Sequence, residues 1–402
     1  MEKVTQKKLL TLLFLLAFLP RLTFIFTLHN PVLPDEDTYL KMAETIKRGK
    51  GLAYPHVTAS MPPVYPYFVV LITSLPFNDF VEIRFLQSIL GGILALLIFI
   101  LSKEIFNKRT ALLSTLIYSF YPTLIFFTGL ILSETFYTFL TFLFLLSLYF
   151  LYKHSSWKWI VLSGISGALS SLTRPSTISL IPFLYLFIIL FLLRKRRRIV
   201  PVLLSLLLLA ITYSPWVVRN WIVFHHFILT TTDGGWVLYS GNNPMNRSGG
   251  GIEGIDVKFP EEAKNLNEIE RDQYFKKKAI EFIRSHPKEF ILLSFKKFSR
   301  LWRLYPSPTS GYDQRRFILT MLFSYGILLP FAITGFLLSF RNFQQTFFLS
   351  LPLIIFTLTH MVFIGSIRYR VPLLPCFIIF SAWGVDRFCR IRGDRRINCG
   401  FI

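Results

Sequence analysis

Three adjacent acidic residues, Asp35, Glu36 and Asp37, follow closely on an apolar run that ends at Leu28. A carboxylate held beside hydrocarbon is costly to keep ionised unless a cation pairs with it, so such groups are candidates for function. One of the acids could instead cap the helix that follows, where a negative charge also suits the helix dipole. Capping needs one acid, and three are present.

Further charged residues fall at the ends of later apolar runs, on the side of the membrane that the topology below assigns to the acids. They are Glu134 after Ser133, Arg174 in Thr173-Arg174-Pro175, Arg219 after Pro215-Trp216-Val217-Val218, and Arg368 with Tyr369 and Arg370. Guanidinium groups keep their charge and hold phosphate oxygens in a fork, so this set suits a phosphate-bearing lipid. For Arg174 and Arg219, anchoring of a helix end at the membrane surface is the alternative.

A divalent metal is a weaker hypothesis for the same side. His29, His56, His225 and His226 lie in the loops there, and with Asp35 or Asp37 they offer oxygen and imidazole ligands. Their spacing matches no metal motif, so Asp35, Asp37 and His56 are weak candidates. The sequence contains neither a Walker motif nor a Gly-rich turn between a strand and a helix, which leaves an ATP or nucleotide-sugar site without support.

The composition is that of a polytopic membrane protein. Of 402 residues, 53% are hydrophobic and 16% are charged, where soluble domains have about 25% charged residues. The apolar residues come in runs close to the roughly 20 residues that cross a bilayer. The net charge of +22 lies largely in short clusters between these runs, which fits the positive-inside rule better than nucleic-acid binding.

The basic clusters agree with one topology. Lys3, Lys7 and Lys8 precede the first span and place the N-terminus in the cytoplasm, and the tail from Arg387 to Arg396 places the C-terminus there too. The acids then emerge on the outer face. We predict about ten spans, near residues 9–28, 82–102, 110–128, 132–152, 157–173, 175–193, 199–217, 317–339, 346–365 and 370–388.

The fold class predicted is an all-α polytopic membrane protein with a small external mixed α/β region. An N-terminal transmembrane module covers residues 1–218 and includes a first external loop, 29–81, with a helix at 36–48 and an interfacial segment at 64–77. Residues 219–316 form the external region, which opens with a strand-like, turn-rich stretch at 234–244 that includes Asn242 and Asn243. A segment at 288–303 mixes aromatic and basic residues, as in a helix lying on the headgroup layer or packed on its own domain. Residues 317–402 hold the last spans and a basic tail.

In their order along the chain these pieces resemble the GT-C glycosyltransferases, of the protein O-mannosyltransferase and aminoarabinose-transferase type (glycosyltransferase family 39-like). The resemblance is carried by the acidic pair Asp35-Glu36 after the first span, then Pro62-Pro63, Ser133-Glu134-Thr135, Thr173-Arg174-Pro175, Gly241-Asn242-Asn243-Pro244 and Arg368-Tyr369-Arg370. It implies an integral membrane enzyme that takes a sugar from a polyprenyl-phosphate carrier and transfers it, with inversion, to a protein, lipid or glycan acceptor.

The resemblance also implies roles for single residues. Asp35 matches the acid that acts as base on the acceptor hydroxyl, and Glu36 matches its neighbour. One departure is that Ser60-Met61-Pro62-Pro63 stands where aminoarabinose transferases have Glu-Lys-Pro, so a second loop carboxylate is absent at that point.

Chemistry agrees, because displacement at an anomeric carbon needs a base near the acceptor and positive charge on the departing phosphate. The rivals are a lipid or solute transporter, which would place charges near mid-membrane, and a glycan polymerase or ligase.

Overall fold

The computed structural model of the chain describes residues 2–27, 34–53, 56–74, 81–250, 259–304 and 319–398, with side chains from residue 6 to residue 390 except that of Pro34. Described residues are mostly helical. The α-helices are α1 (Glu2–Thr27), α2 (Pro34–Lys47), α3 (Val64–Thr73), α4 (Val81–Ile105), α5 (Lys108–Ser119), α6 (Pro122–Thr128), α7 (Ser133–His154), α8 (Trp157–Thr173), α9 (Ser176–Arg194), α10 (Val200–Phe224), α11 (Gly234–Gly241), α12 (Glu268–Ser285), α13 (Pro287–Trp302), α14 (Ile327–Ser339), α15 (Phe343–Val362) and α16 (Leu374–Asn398). A π-helical turn, Leu322–Gly326, precedes α14, and 3₁₀ turns lie at Glu261–Ala263, Phe340–Asn342 and Ile367–Leu373.

The predicted membrane fold is confirmed, and the number of spans depends on how the helices are divided. Within the described ranges, seven helical segments are long and apolar enough to cross a membrane, or eight if α5 and α6 count as one bent span. One of the seven is the 44-residue stretch Leu319–Val362. At about 1.5 Å per residue it is about twice as long as the bilayer core is thick, so its two halves form two crossings. Helix α8, with 17 residues, falls just short of the usual length.

The expected β-structure in the external region is wrong for the described residues. The strand-like stretch forms helix α11, and the described ranges hold one isolated bridge, between Ala53 and Val57, rather than a sheet. Trp236 and Tyr239 lie three positions apart on α11, and both rings pack on Phe275 of α12, at centroid distances of 4.8 and 5.2 Å. This packing favours a helix over the strand that the local residue types suggested.

The span predicted at 110–128 is bent, because α5 and α6, which together are long and apolar enough to cross, meet at an angle of 54°. Pro122 at the start of α6 cannot continue the hydrogen bonding of α5. The carbonyls of Tyr118 and Ser119 at the end of α5 accept hydrogen bonds from the guanidinium of Arg21, at 3.3 and 3.2 Å. Arg21 is fully buried on α1 and also lies 4.5 Å from the Tyr118 ring. Arg21 therefore satisfies the carbonyls of a helix end that is buried inside the bundle.

The first external loop packs as two short helices on the outer ends of the bundle. Helix α3 has ten residues, too short to cross a bilayer, as predicted. Tyr39 of α2 lies edge-on to Tyr65 of α3, and Phe68 stacks on Phe136 of α7. This aromatic cluster fixes α2, and with it the acidic residues, above α7.

Candidate functional site

The three consecutive acids face different surroundings because successive residues on an α-helix point about 100° apart. Asp35 keeps 56% of its side chain exposed and forms an ion pair with Arg368 at 2.5 Å. Glu36 is buried. Asp37 forms an exposed ion pair with Lys41, one turn further along the same helix. All three also lie in the first turn of α2, where negative charge suits the helix dipole.

Four charged side chains form an alternating row at the outer ends of the helices. Asp35 pairs with Arg368 at 2.5 Å, Arg368 pairs through its Nε with Glu134, and Glu134 pairs with Arg174 at 2.7 Å. Glu134 is fully buried, whereas Arg368 and Arg174 keep 28% and 15% of their side chains exposed. Both guanidinium groups therefore reach solvent while a buried carboxylate holds them together. We call these residues the charge row.

Neighbouring hydroxyl groups fix the position of Arg174. Its Nε donates to the Ser133 hydroxyl at 2.9 Å, and the Tyr39 hydroxyl donates to the same oxygen at 3.4 Å. Burial raises the pKa of Tyr39, which keeps the phenol protonated as a donor. The guanidinium also lies 5.8 Å from the ring of Tyr137. The charge row is thereby connected to the first external loop.

Glu36 contacts a different set of residues. Its carboxylate accepts a hydrogen bond from the backbone N–H of Ile131 at 2.7 Å and lies 3.7 Å from Arg84. Buried Gln87 donates to the carbonyls of Thr128 and Leu130 at 3.0 and 2.7 Å. Together they hold the turn that leads into Ser133 and Glu134. The sequence alone does not single out Arg84 and Gln87, since a polar residue near the start of an apolar helix gives no local sign of its partner.

Arg370 lies apart from the charge row, although it stands two positions after Arg368. It is buried, donates to the carbonyl of Arg303 at 2.7 Å and lies 3.9 Å from the Tyr325 ring. Tyr369 stacks on His360, with ring centroids 4.6 Å apart. In a 3₁₀ helix, residues two apart point about 120° from one another, so Arg368 and Arg370 face different sides.

The residues just before Arg368 are gripped by α13. Residues 362–366, which we call the connection, lead from α15 to the 3₁₀ turn that carries Arg368. Lys297, fully buried on α13, donates to the carbonyl of Val362 at 2.9 Å and to Oδ1 of Asn242 at 2.7 Å. Burial lowers the pKa of Lys297 to about 7. Arg300 donates to the carbonyl of Gly365 at 3.2 Å, so two basic side chains of one helix fix this connection.

The other predicted residues lie outside the charge row. Asn242 donates to the carbonyls of Leu238 and Val362. Asn243 accepts from the backbone N–H groups of Met245 and Asn246, as a turn-forming asparagine does. Arg219 packs on Trp216 and donates to the Asn220 side chain at 2.9 Å.

The candidate metal ligands do not come together. Asp35 and Asp37 have cationic partners, and His56 is exposed. His29 lies outside the described residues. Within the described ranges, no group of three His, Cys, Asp or Glu side chains is arranged to hold a metal ion. The donor set therefore does not fit a metal at the charge row, and the reaction proposed below uses none.

An apolar cavity of about 560 Å³ lies between α13, α14, α15 and α16. Its wall includes Phe298 and Trp302 of α13, Tyr325, Met361 and Phe377. Met361 directly precedes the connection, and Tyr325 contacts Arg370. The cavity thus begins near the connection and Arg370 and extends between apolar residues of α14 and α15.

Comparison with known proteins finds one partial match to a family model and a shared fold. Residues 60–218 match the family model of dolichyl-phosphate-mannose-protein mannosyltransferase. Among solved structures, ArnT from Cupriavidus metallidurans bound to undecaprenyl phosphate aligns over 94% of this chain and 60% of its own, with a TM-score of 0.58 and 14% identity. The sequence matches no curated protein.

Two further structures, both from Archaeoglobus fulgidus, are similar. The apo oligosaccharyltransferase aligns with a TM-score of 0.55 and 14% identity over 97% of this chain and 52% of its own. The oligosaccharyltransferase AglB in complex with an inhibitory peptide and a dolichol-phosphate has a TM-score of 0.51 and 14% identity, over 98% of this chain and 52% of its own. The chain thus spans between about half and three fifths of the length of these proteins, and the likeness shows a shared GT-C fold.

Proposed function

We propose that this chain is a GT-C membrane glycosyltransferase, as the match of residues 60–218 to a mannosyltransferase family model and the shared fold support, and that it transfers a sugar from a polyprenyl-phosphate donor to an acceptor on the outer face of the membrane. In this proposal Asp35 is the general base and the reaction inverts the anomeric carbon. The observation that carries it is the charge row, in which a half-exposed carboxylate touches a guanidinium group suited to phosphate.

The bond changes are those of a single displacement. The acceptor hydroxyl oxygen attacks the anomeric carbon, the bond from that carbon to the phosphate oxygen breaks, and the hydroxyl proton passes to Asp35. The products are the glycosylated acceptor and the polyprenyl phosphate. Arg368 and Arg174 supply the positive charge for the leaving phosphate, and Glu134 holds both in place before the reaction begins.

The ion pair between Asp35 and Arg368 suggests an order of binding. While it persists, the Asp35 carboxylate is engaged and is a poor base. A donor phosphate would compete for Arg368 and so free Asp35 for the acceptor hydroxyl. The donor therefore binds first, and the base becomes available only in its presence.

The apolar cavity supports a lipid-linked donor. The structure of ArnT was solved with undecaprenyl phosphate bound and that of AglB in complex with a dolichol-phosphate, both phosphates of long apolar chains. Here the cavity of about 560 Å³ begins beside Met361, just before the connection that leads to Arg368, and apolar and aromatic side chains dominate its wall. We propose that it receives the polyprenyl chain, whose burial would supply binding energy away from the reacting carbon.

The test uses purified protein and a panel of polyprenyl-phosphate sugars, with release of free polyprenyl phosphate as the measurement. Asp35→Asn should lower the transfer rate by about 100-fold or more, since general bases contribute about 10²- to 10⁴-fold. Asp37→Asn is the matched control. It removes the same charge two positions after Asp35, from a residue that forms an exposed ion pair with Lys41. Wild-type turnover by Asp35→Asn would remove Asp35 as the base, and release from no donor would reject the proposed function.

A further inference from the structure

A polar cavity of about 530 Å³ lies at the opposite membrane end of the bundle from the charge row. Helix α7 starts beside Glu134 and ends beside this cavity, which places the two about 30 Å apart. Residues from three separate parts of the chain line it: Lys153 in the last turn of α7, Lys195 and Arg197 after α9, and Arg341 before α15. Four cations from distant parts of the sequence therefore meet around one space.

Little negative charge balances these cations among the described residues. Glu104 forms an ion pair with Lys153 at 2.5 Å. The Lys195 Nζ donates to the Tyr152 hydroxyl at 3.2 Å, which is a neutral partner. Arg197 and Arg341 are exposed at the rim. Cations collected in this way repel one another, and an anion placed between them would relieve the repulsion.

The remaining lining suits a head group with both charged and polar atoms. Asn342, Gln344 and Gln345 provide amide donors and acceptors, and Tyr149 and Phe343 add aromatic surface. Arginine binds phosphate oxygens in a fork, and lysine adds a point charge. Both types of cation are present in one cavity.

The position of the cavity indicates that its ligand is a lipid. It lies at the ends of membrane-crossing helices, at the level of the headgroups of that leaflet. Exposed apolar side chains continue from it along the bundle, with Leu190 and Leu193 on α9 and Leu337 on α14 exposed by 43, 53 and 60%. A lipid could place its phosphate among the cations and its acyl chains along these residues, which a soluble phosphate could not use. Basic pockets between transmembrane helices are typical sites for anionic lipid head groups.

From this arrangement we propose that the cavity formed by Lys153, Lys195, Arg197 and Arg341 binds the head group of an anionic phospholipid. The site is separate from the donor site and concerns the opposite leaflet. Occupied, it joins α7, α9 and α15 at their inner ends, and so stabilises the bundle that carries Glu134 and Arg368 at its outer ends. The proposal does not depend on the reaction proposed above.

The test measures lipid binding by the full-length protein by native mass spectrometry, with phosphatidylglycerol and phosphatidylcholine as probes. The triple variant Lys195→Gln, Arg197→Gln, Arg341→Gln should lower the apparent affinity for phosphatidylglycerol at least about tenfold. The control triple Lys103→Gln, Lys108→Gln, Lys158→Gln removes the same charge from exposed residues of the same face outside the cavity, and should change it less than about twofold.

Two results would overturn the proposal. Equal losses in both triple variants would indicate general attraction to a basic surface rather than a site. Competition by millimolar inorganic phosphate as strong as that by phosphatidylglycerol would indicate a free-phosphate site. A rise in melting temperature with phosphatidylglycerol in the wild type and the control triple, but not in the cavity triple, would support the proposal through a second measurement.

Discussion

At the scale of single residues, the three acids in the first turn of α2 point in different directions and so have different partners. Asp35 meets Arg368, Glu36 is buried below it, and Asp37 stays with Lys41 at the surface. Stabilisation of the helix start and a functional role are compatible. All three negative charges stabilise the N-terminus of α2 through the helix dipole, while each side chain contacts a different partner. Substitutions of these neighbours should therefore have very different effects.

Glu134 is the residue at which loss of charge should cost most stability. Its buried carboxylate is shared by Arg174 and Arg368, so Glu134→Gln leaves two partly buried guanidinium groups without a counter-charge. Breaking a buried pair in this way costs about 3 kcal/mol or more, which would lower the melting temperature by several degrees. Glu104→Gln, which breaks a more exposed pair with Lys153, should cost less than about 1 kcal/mol. Equal melting temperatures for the two variants would contradict this account.

At the scale of elements, α13 links the external region to the residues that position Arg368. Lys297 and Arg300 hold the connection from one side, and Asn242 holds it from the other. The Gly241 and Gly365 positions admit no side chain, because an added Cβ would overlap the carbonyl oxygens of Phe363 and Lys297. The backbone of these two segments therefore packs closely around Lys297.

Lys297 should give the protein a distinct dependence of stability on pH. Its pKa is lowered from 10.5 to about 7, so between these values the folded state binds fewer protons than the unfolded state. Stability from this group therefore rises as pH increases from about 7 to about 10, and its charged form is a burden below about 7. In Lys297→Met this contribution disappears. The melting temperature of the variant minus that of the wild type should therefore become more negative as pH rises over that range.

The control for this prediction is Lys296→Met, at the neighbouring partly exposed position, whose Nζ donates to the carbonyl of Arg247 at 2.8 Å. It removes the same charge without removing a buried amine, so its melting temperature relative to wild type should stay constant over the same pH range. Parallel curves for Lys297→Met and the wild type would show that the buried amine does not titrate in this window.

At the scale of the whole molecule, the bundle separates two charged ends. The charge row lies at one end, and the cavity lined by Lys195, Arg197 and Arg341 lies at the other. The basic clusters predict that the second end is cytoplasmic, which leaves Asp35 outside. A donor whose lipid is anchored in the membrane could then present its sugar to Asp35 at the outer surface.

This orientation can be measured with membrane-impermeant maleimide in a background where Cys389 and Cys399 are serine. Cys376 is buried and stays as it is. Asp37→Cys, at a position with 44% of its side chain exposed, should be labelled on intact cells. Arg197→Cys should be labelled only after the membrane is permeabilised. The reverse pattern would place the charge row in the cytoplasm and exclude an outward-facing site.

Properties that depend on local sequence could be predicted without a structure. The membrane class follows from the length of the apolar runs. The acids and arginines are functional candidates because charge beside such runs is costly. The helix carrying Asp35 was predicted at 36–48 and begins at Pro34. The strand-like stretch of α11 was misassigned because its partner, Phe275 of α12, lies in a distant part of the chain.

The sequence by itself determined that a chain of this composition spans the membrane and that acids and arginines meet at one face, since hydropathy and charge act over a few residues. Only the tertiary structure decided which arginine reaches Asp35. Arg368 does so from 333 positions away, while Arg370 turns inward to Tyr325. The physical reason is that pairing depends on the direction of a side chain around its helix and on the packing of distant helices, neither of which spacing along the chain specifies.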